Sequence, residues 1–233
     1  MGLAPYGDPA RATGVLDPYY PKFASGDLVE GHDFGPAHGW SEAGAYHWHL
    51  DDAEAIRRLV ERHGAEHVAA EAQRVLEEQM AAIVLPWLDR QGTRHLSCAG
   101  GLFLNVKLNQ RLWETGRIDR HHIQPNPGDA GLALGAALHA RHHFDPGAPI
   151  GGLPHLYWGP AYGDDEIGAL LEERGLVARR EDDIAARVAG LLADNHIVGW
   201  LQGRMEAGPR ALGGRSILMS PMRAANKDII NAR

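Results

Sequence analysis

Apolar residues recur at helical spacing just after the first fifty residues of the chain. The spacing predicts a helix from about Ala65 to Leu88. Its apolar positions are Val68, Ala72, Val75, Leu76, Met80, Ile83 and Val84. Pro86 lies near the predicted end and either kinks or terminates the helix. A preceding helix is predicted from Ala53 to about His63, because Asp51 or Asp52 can cap it.

Short apolar runs alternate with helical patterns over the next stretch. The predicted elements are a strand over Arg94–Ala99, a helix from Leu102 to Thr115 closed by Gly116, a strand over His122–Pro125, a turn over Asn126–Asp129 and a helix from Ala130 to His142. Strands that alternate with helices predict an α/β fold with a mostly parallel sheet. Residues 1–46 hold neither period for long, so we predict irregular structure there, with short strands at most.

A segment rich in proline and glycine, residues 144–163, interrupts this pattern. Such linkers commonly separate domains, so we predict one domain over residues 1–150 and a second over 151–233. The elements predicted after the linker are a helix from Asp164 to about Arg174, a helix over Ile184–Asp194, a buried strand over His196–Leu201 and a segment rich in glycine and arginine over Gln202–Ser216.

Composition narrows the class of protein. Hydrophobic residues make up 44% and charged residues 23%, which is ordinary for a soluble globular protein. The net charge of −7 argues against a general nucleic-acid or membrane-surface role, because both need basic patches. The single Cys98 excludes an intrachain disulfide and fits a reducing cytoplasm. Its place in an apolar strand favours a buried structural thiol over a nucleophile.

Histidines are numerous, at 14, and several form tight pairs. These are His47 with His49, His121 with His122, and His142 with His143. The pairs lack helical i, i+4 spacing and a nearby carboxylate, so a surface or structural role is favoured over metal binding.

Two glycine-rich loops are candidate ligand sites. Gly100 and Gly101 stand between a strand and a helix, where the backbone can approach an anionic ligand and Asn105 can bind a ribose or a phosphate. On the glycines alone, a plain tight turn is the favoured explanation. Asp129 ends the second loop, where it either caps the next helix or binds a metal. The local pattern favours the cap.

The Gln202–Ser216 segment gives the strongest sign of chemistry. Its charged residues are Arg204, Glu206, Arg210 and Arg215, set among glycines directly after an apolar strand. Arginine forks bind phosphate and carboxylate oxygens in pairs, and glycines let a ligand come close. A solvated charged loop explains the mixture of turn residues and apolar residues poorly, so we predict an anion site.

These loops belong to a set of motifs that resembles the O-carbamoyltransferases of the nodulation-protein U, cephem and aminoglycoside carbamoyltransferase type. The motifs are Met1-Gly-Leu-Ala-Pro-Tyr-Gly7, Gly100-Gly-Leu-Phe-Leu-Asn105, Gln124-Pro-Asn-Pro-Gly-Asp-Ala-Gly131, Leu134-Gly-Ala-Ala137, Gly203-Arg-Met-Glu-Ala-Gly-Pro-Arg-Ala-Leu-Gly213 and Arg215-Ser-Ile-Leu218. They occur in order and span nearly the whole chain.

The resemblance implies two domains and a two-step reaction. The first is the C-terminal portion of an actin/sugar-kinase/Hsp70-like (ASKHA) domain. The second is the start of a threonylcarbamoyl-adenylate-synthase-like (YrdC-like) domain. The second domain would join carbamoyl phosphate and ATP into carbamoyl adenylate with release of pyrophosphate. The first would pass the carbamoyl group to a small-molecule hydroxyl with the help of a divalent metal, Fe or Mg.

The resemblance also assigns roles to individual residues. Gly100, Gly101 and Asn105 would hold the adenylate, Asp129 would bind the metal, and Arg204, Glu206, Arg210 and Arg215 would form the carbamoyl-phosphate and ATP site. Family members carry a long preceding segment with a His-x-x-x-His metal pair. The resemblance therefore implies that this chain is truncated at both ends and is inactive alone.

Two other functions fit parts of the pattern. A nucleotide-dependent kinase or ATPase of the same superfold would use the first domain, but it does not need the arginine segment. A non-catalytic nucleotide-binding or interaction module is the second alternative. Binding of both ATP and carbamoyl phosphate separates these alternatives from a carbamoyltransferase.

Overall fold

The computed structural model describes residues 1–32, 40–42, 45–47, 50–149 and 151–232. Two compact units divide the chain, Met1–Asp129 and Ala130–Arg233. The domain boundary at residue 150 stays a prediction.

Two helices form the framework of the first unit, and both confirm the predicted pattern. Helix α1 spans Leu50–His63 and helix α2 spans Ala65–Arg90. Gly64 separates them with a φ of 90°, which an L-residue rarely adopts. Helix α2 contains Pro86 and continues beyond it to Arg90, so the proline does not terminate the helix.

The described residues before α1 form short 3₁₀ turns and two antiparallel strand pairs, as predicted for an irregular region. The turns span Ala4–Tyr6, Pro9–Arg11 and Asp17–Tyr19, and the strands are β1 (Lys22–Ala24), β2 (Asp27–Glu30), β3 (Trp40–Glu42) and β4 (Ala45–His47). Gly7 packs against the first turn of α2, where a Cβ would stand 1.9 Å from the carbonyl oxygen of Glu66. The N-terminal segment is therefore fixed to the helix.

A buried carboxylate holds this contact in place. Glu71 of α2 is fully buried, and its Oε1 accepts a hydrogen bond from the Gly14 backbone N–H at 2.8 Å. Arg74, one turn further, donates to both carboxylate oxygens at 2.7 Å. A buried charge is tolerated only when it is paired and hydrogen-bonded in this way.

A parallel strand pair lies at the other end of α2. Strand β5 (His95–Cys98) pairs in parallel with β6 (Arg120–Ile123), and helix α3 (Val106–Glu114) is the crossover between them. The apolar side of α3 is completely buried at Leu108 and Leu112, which pack with Leu88 and Ile118. The core of the unit therefore fixes the position of the loops at the ends of these strands.

The prediction of a mostly parallel sheet is wrong for the described residues. Their strands form four two-stranded sheets, and of these only β5–β6 is parallel. The parallel pair depends on the long crossover through α3, whereas β1 and β2 join through a two-residue turn that places them antiparallel. The α/β character is confirmed in this coarser form.

The second unit contains four helices and one hairpin among its described residues. These elements are α4 (Leu132–Phe144), α5 (Asp164–Glu173), α6 (Ile184–Ala193), β7 (Val198–Leu201), β8 (Arg215–Leu218) and α7 (Asn226–Asn231). Strand β7 pairs antiparallel with β8, which was not predicted. The predicted burial of β7 is also wrong, because Leu201 is 65% exposed in a sheet of two strands.

No helix in the described ranges is long and apolar enough to cross a membrane.

Candidate functional site

The loops that follow β5 and β6 meet at the carboxyl ends of the two parallel strands. The Gly100 backbone N–H donates to the Pro127 carbonyl oxygen at 2.7 Å. A Cβ on Gly128 would stand 3.9 Å from the Cα of Gly101, so the two loops are in van der Waals contact. Carboxyl ends of parallel strands are the usual ligand-binding edge of such sheets. The structure therefore brings together two motifs that the sequence only suggested separately.

Gly100 has a backbone conformation that only glycine adopts readily, with φ 109° and ψ 146°. Both Gly100 and Gly101 are exposed, and a Cβ on either would meet no atom within 4 Å. The glycines thus leave an open stretch of backbone, as a ligand loop requires.

The predicted start of the helix at Leu102 is wrong, because α3 begins at Val106 and Asn105 is its N-cap. Residues Gly101–Leu104 form a 3₁₀ turn rather than the first turn of the helix, and Asn105 is extended, with φ −78° and ψ 94°. Its side-chain oxygen accepts the Leu108 backbone N–H at 3.1 Å, which is an N-cap of α3. The side chain also pairs with Gln73 of α2: Asn105 Nδ2 donates to Gln73 Oε1 at 2.9 Å.

Asp129 does not make the capping bond that the local pattern favoured. It begins a 3₁₀ turn, Asp129–Gly131, and the N-cap of α4 is Gly131, without a side-chain cap. The Asp129 side chain is exposed at the end of the second loop. Among the described residues no group of three or more His, Cys, Asp or Glu side chains could hold a metal ion. His49 of the predicted histidine pairs lies outside the described residues.

Cys98 is buried at the end of β5, as predicted for a structural thiol. Burial raises the pKa of its thiol to about 11. Its Sγ lies 3.7 Å from His121 Nε2, and burial lowers the pKa of that imidazole, which disfavours an ion pair. The thiol is therefore a poor nucleophile at neutral pH.

In the second unit, the arginine segment is built around one ion pair. Arg215 Nη1 donates to Glu206 Oε2 at 2.9 Å and to the Arg204 carbonyl oxygen at 3.1 Å. The side chains of Arg215 and Glu206 are only 22% and 5% exposed. Burial by itself raises the pKa of Glu206, but its own backbone N–H, the Arg215 guanidinium and the Gly214 N–H outweigh it, and the pKa is lowered.

Glycine at position 214 is a steric requirement of this pair. A Cβ there would stand 2.2 Å from Glu206 Oε1 and 3.2 Å from the Gln202 carbonyl oxygen. The Gly214 carbonyl oxygen accepts the Gln202 N–H at 2.8 Å, and the Gly214 N–H donates to Ala211 at 2.8 Å. The segment between β7 and β8 is therefore an ordered loop closed over the carboxylate.

Part of the predicted linker packs against the arginine segment in an extended conformation. The Gly159 N–H donates to the Met205 carbonyl oxygen at 2.9 Å, and the Met205 N–H donates to Pro160 at 3.0 Å. The Ala207 N–H donates to Leu156 at 2.7 Å. A Cβ on Gly159 would stand 2.5 Å from that of Met205, so this approach also needs glycine.

The remaining two arginines of the segment are exposed to solvent. Arg204 donates from Nε to the Gly159 carbonyl oxygen at 3.0 Å, which fixes the stem of its guanidinium group. Arg210 lies in the loop between Glu206 and Gly214, and its side chain is exposed. Arg215 thus holds the loop together from a mostly buried position, while Arg204 and Arg210 lie at its surface.

Sequence reasoning missed the residues that support these sites, above all Gln73 and Gly159. Gln73 lies 32 residues before its partner Asn105. It belongs to α2, which was predicted from the spacing of its apolar residues alone. Gly159 carried a signal, the Trp-Gly-Pro sequence inside the linker, but nothing marked it as a partner of Met205.

Comparisons with known proteins agree with the arrangement of motifs. The carbamoyltransferase N-terminus family model matches residues 1–138, and the carbamoyltransferase C-terminus model matches residues 189–233. The chain is 36% identical over 248 residues to nodulation protein NolNO of Sinorhizobium fredii. That alignment covers 100% of the chain and 33% of the relative.

Two further relatives come from Bradyrhizobium diazoefficiens. Nodulation protein NolO is 37% identical over 244 residues, covering 100% of the chain and 41% of the relative. Nodulation protein U is 35% identical over 184 residues, covering 77% of the chain and 30% of the relative. The chain thus spans between 30% and 41% of the length of these relatives. The N-terminal model covers more than half of the chain, and the chain therefore belongs to the carbamoyltransferase family.

Proposed function

We propose that the intact protein transfers a carbamoyl group from carbamoyl phosphate, through carbamoyl adenylate made with ATP, to a hydroxyl of a small molecule. The observation that carries this proposal is the arginine segment, an ordered loop with two exposed arginines inside a region that matches the family's C-terminal model. A kinase or ATPase of the same superfold has no use for such a loop.

The three arginines have different roles in this proposal, one structural and two in ligand binding. Arg215 and its partner Glu206 hold the loop, so Glu206 acts by positioning. Arg204 and Arg210 meet the phosphate oxygens of carbamoyl phosphate and ATP, where two guanidinium forks can offset the negative charge. The carbonyl carbon stays open to attack, since the arginines bind at the phosphoryl end.

The atoms balance as follows. Carbamoyl adenylate keeps the carbamoyl group and the AMP part of ATP. Water attacks the carbonyl carbon of carbamoyl phosphate, and phosphate leaves. An oxygen of the resulting carbamate then attacks the α-phosphorus of ATP, and pyrophosphate leaves, so one water is consumed. Both departing groups are anions, so the loop needs a net positive charge. Glu206 neutralises Arg215, and the positive charge is supplied by Arg204 and Arg210.

The first unit takes the adenylate in this scheme. The open backbone at Gly100 and Gly101 would approach the phosphoryl group, and Asn105 would donate to it. Asp129 would supply one oxygen ligand to a divalent metal, Fe or Mg, which would neutralise charge on the nucleotide. One carboxylate is compatible with Mg²⁺ held largely by water and phosphate oxygens. The described residues supply no fuller site, so no step is assigned to the metal.

This division matches the domains that the resemblance implies. The first unit would belong to an actin/sugar-kinase/Hsp70-like (ASKHA) transfer domain. The arginine segment would belong to a threonylcarbamoyl-adenylate-synthase-like (YrdC-like) domain that forms the adenylate.

The experiment is ATP–pyrophosphate exchange that depends on carbamoyl phosphate, because it isolates adenylate formation from transfer. Arg210→Ala in the intact protein should cost this step about 2–4 kcal/mol, roughly 30- to 900-fold in rate, since a charged contact to the phosphate is lost. Arg204→Lys should restore little of what Arg204→Ala loses, because a point charge cannot replace the fork. Arg174→Ala is the control, an exposed arginine of the same unit outside the loop. Wild-type exchange in Arg210→Ala with lost transfer would show that the loop does not serve adenylate formation.

A further inference from the structure

The side chain of Gln73 lies against that of Asn105 in a reciprocal amide pair. Asn105 Nδ2 donates to Gln73 Oε1 at 2.9 Å, and Gln73 Nε2 donates to Asn105 Oδ1 at 3.2 Å. Gln73 Nε2 also donates to Glu77 Oε1 at 2.6 Å. This cluster joins α2 to the N-terminus of α3.

Two fixed partners decide which way both amides face. The Leu108 N–H can only donate, so the atom of Asn105 that it meets must be the oxygen. The Glu77 carboxylate oxygen accepts, so the atom of Gln73 that it meets must be the nitrogen. The orientation of the amide pair therefore follows from its neighbours, because a flip of either amide would bring like groups together.

The hydrogen-bonding capacity of Asn105 is then nearly used up. Its Oδ1 accepts from Leu108 N–H and from Gln73 Nε2, which occupies both lone pairs. Its Nδ2 has two N–H groups, and one of them is given to Gln73. Asn105 is half-buried and keeps one donor and no acceptor for a ligand.

We propose that Gln73 is a positioning residue that locks the Asn105 amide, so that its remaining N–H donates to a phosphoryl oxygen of the nucleotide. The inference rests on the proposed function for the nucleotide itself. It goes further in naming Gln73 as the residue that, with the Leu108 N–H, holds the Asn105 amide in place. It also commits the remaining Asn105 N–H to a ligand oxygen that accepts.

The test compares AMP with adenosine in calorimetric titrations of the intact protein, with thermal unfolding measured in parallel. Gln73→Leu and Gln73→Glu should each weaken AMP binding about three- to tenfold, the scale of one neutral hydrogen bond. Adenosine affinity should change less, because it lacks the phosphoryl group. Gln73→Glu keeps the size of the side chain but places a second oxygen against Asn105. Gln110→Leu is the control, since the hydrogen bonds of the Gln110 side chain run along α3, to Glu114 and from Lys107.

A double-mutant comparison separates the positioning role of Gln73 from the nucleotide contact of Asn105. Asn105→Asp keeps the oxygen that caps Leu108 but loses the donor, so AMP affinity should fall, and adding Gln73→Leu should cost little more. If Asn105→Asp weakens AMP binding while both Gln73 variants match Gln110→Leu, the role of Gln73 is wrong and the nucleotide site stands. If Asn105→Asp leaves AMP binding unchanged, the nucleotide assignment of the loop fails as well.

Discussion

Replacing Gly214 with alanine is the sharpest available perturbation of the arginine segment. The new Cβ would lie 2.2 Å from Glu206 Oε1 and 3.1 Å from Cδ of the same carboxyl group, well inside van der Waals contact. The Gln202 carbonyl oxygen lies 3.2 Å from the same Cβ, which is also tighter than an ordinary van der Waals contact. The carboxylate must therefore leave its place beneath the loop.

The cost follows from this geometry. Forcing one extra methyl into a packed site costs about 1–3 kcal/mol. We expect a loss near the upper end, because displacement of Glu206 also removes its contact with Arg215. The hydrogen bond between the Gln202 N–H and the Gly214 carbonyl oxygen should open at the same time.

The assay is urea unfolding of the intact protein together with hydrogen exchange of the peptide that contains β7. Gly214→Ala should lower the unfolding midpoint of the second unit and speed exchange at Gln202. Gly199→Ala is the matched control: Gly199 lies in the same hairpin, and a Cβ there would meet no atom within 4 Å. In a Glu206→Ala background, Gly214→Ala should cost less, because the obstacle is gone.

Equal effects of Gly214→Ala and Gly199→Ala would refute this reasoning. An equal cost of Gly214→Ala with and without the Glu206 side chain would refute it too. Either result would mean that the loop does not close over the carboxylate.

Two further predictions concern the first unit. Burial raises the pKa of Cys98 to about 11, so a thiol reagent at pH 8 should label the native protein slowly and the urea-unfolded protein fast; rapid labelling of the native protein would contradict the burial. Hydrogen bonding to Arg74 outweighs burial and, with the Gly14 N–H, lowers the pKa of Glu71. Its contribution to stability is therefore present above its unfolded pKa, about 4.5, and is lost as pH falls through the folded pKa. Urea unfolding between pH 7 and pH 3 measures the free energy of unfolding, and the difference between wild type and Glu71→Gln should shrink in acid. Glu30→Gln is the control, because Glu30 belongs to an exposed ion pair. A difference that stays constant with pH would contradict the prediction.

The parts of the fold predicted from the sequence are those set by local periodicity. Helix α2 follows from apolar residues at helical spacing, and the strand–loop–helix order around Gly100 follows from a short apolar run before glycines. Each needs only neighbours in sequence. The same reasoning placed the arginine segment after an apolar strand, where β7 lies.

The errors arose where a distant partner decides the structure. The helix starts at Val106 rather than Leu102 because Asn105 is held in a capping position by Gln73 and Leu108. Strand β8 forms because Arg215–Leu218 pairs with β7 across the glycine loop, and its own sequence has no strong strand pattern. Local pattern cannot show either partner.

At the arginine segment, too, the sequence showed the residues but not their partners. The sequence grouped Arg204, Glu206, Arg210 and Arg215, but it could not show which arginine neutralises the glutamate. That choice depends on Gly214, whose missing side chain leaves room for the carboxylate. The ion pair distinguishes Arg215, which holds the loop, from Arg204 and Arg210, whose side chains are exposed.

The most direct test of the central claim is to follow both substrates through one reaction of the intact protein. Carbamoyl phosphate labelled with carbon-14 is mixed with ATP labelled at the α-phosphate, without acceptor. The account predicts that both labels appear together in one adenylate and that pyrophosphate is released only when carbamoyl phosphate is present. Formation of ADP, or release of pyrophosphate that does not depend on carbamoyl phosphate, would contradict it.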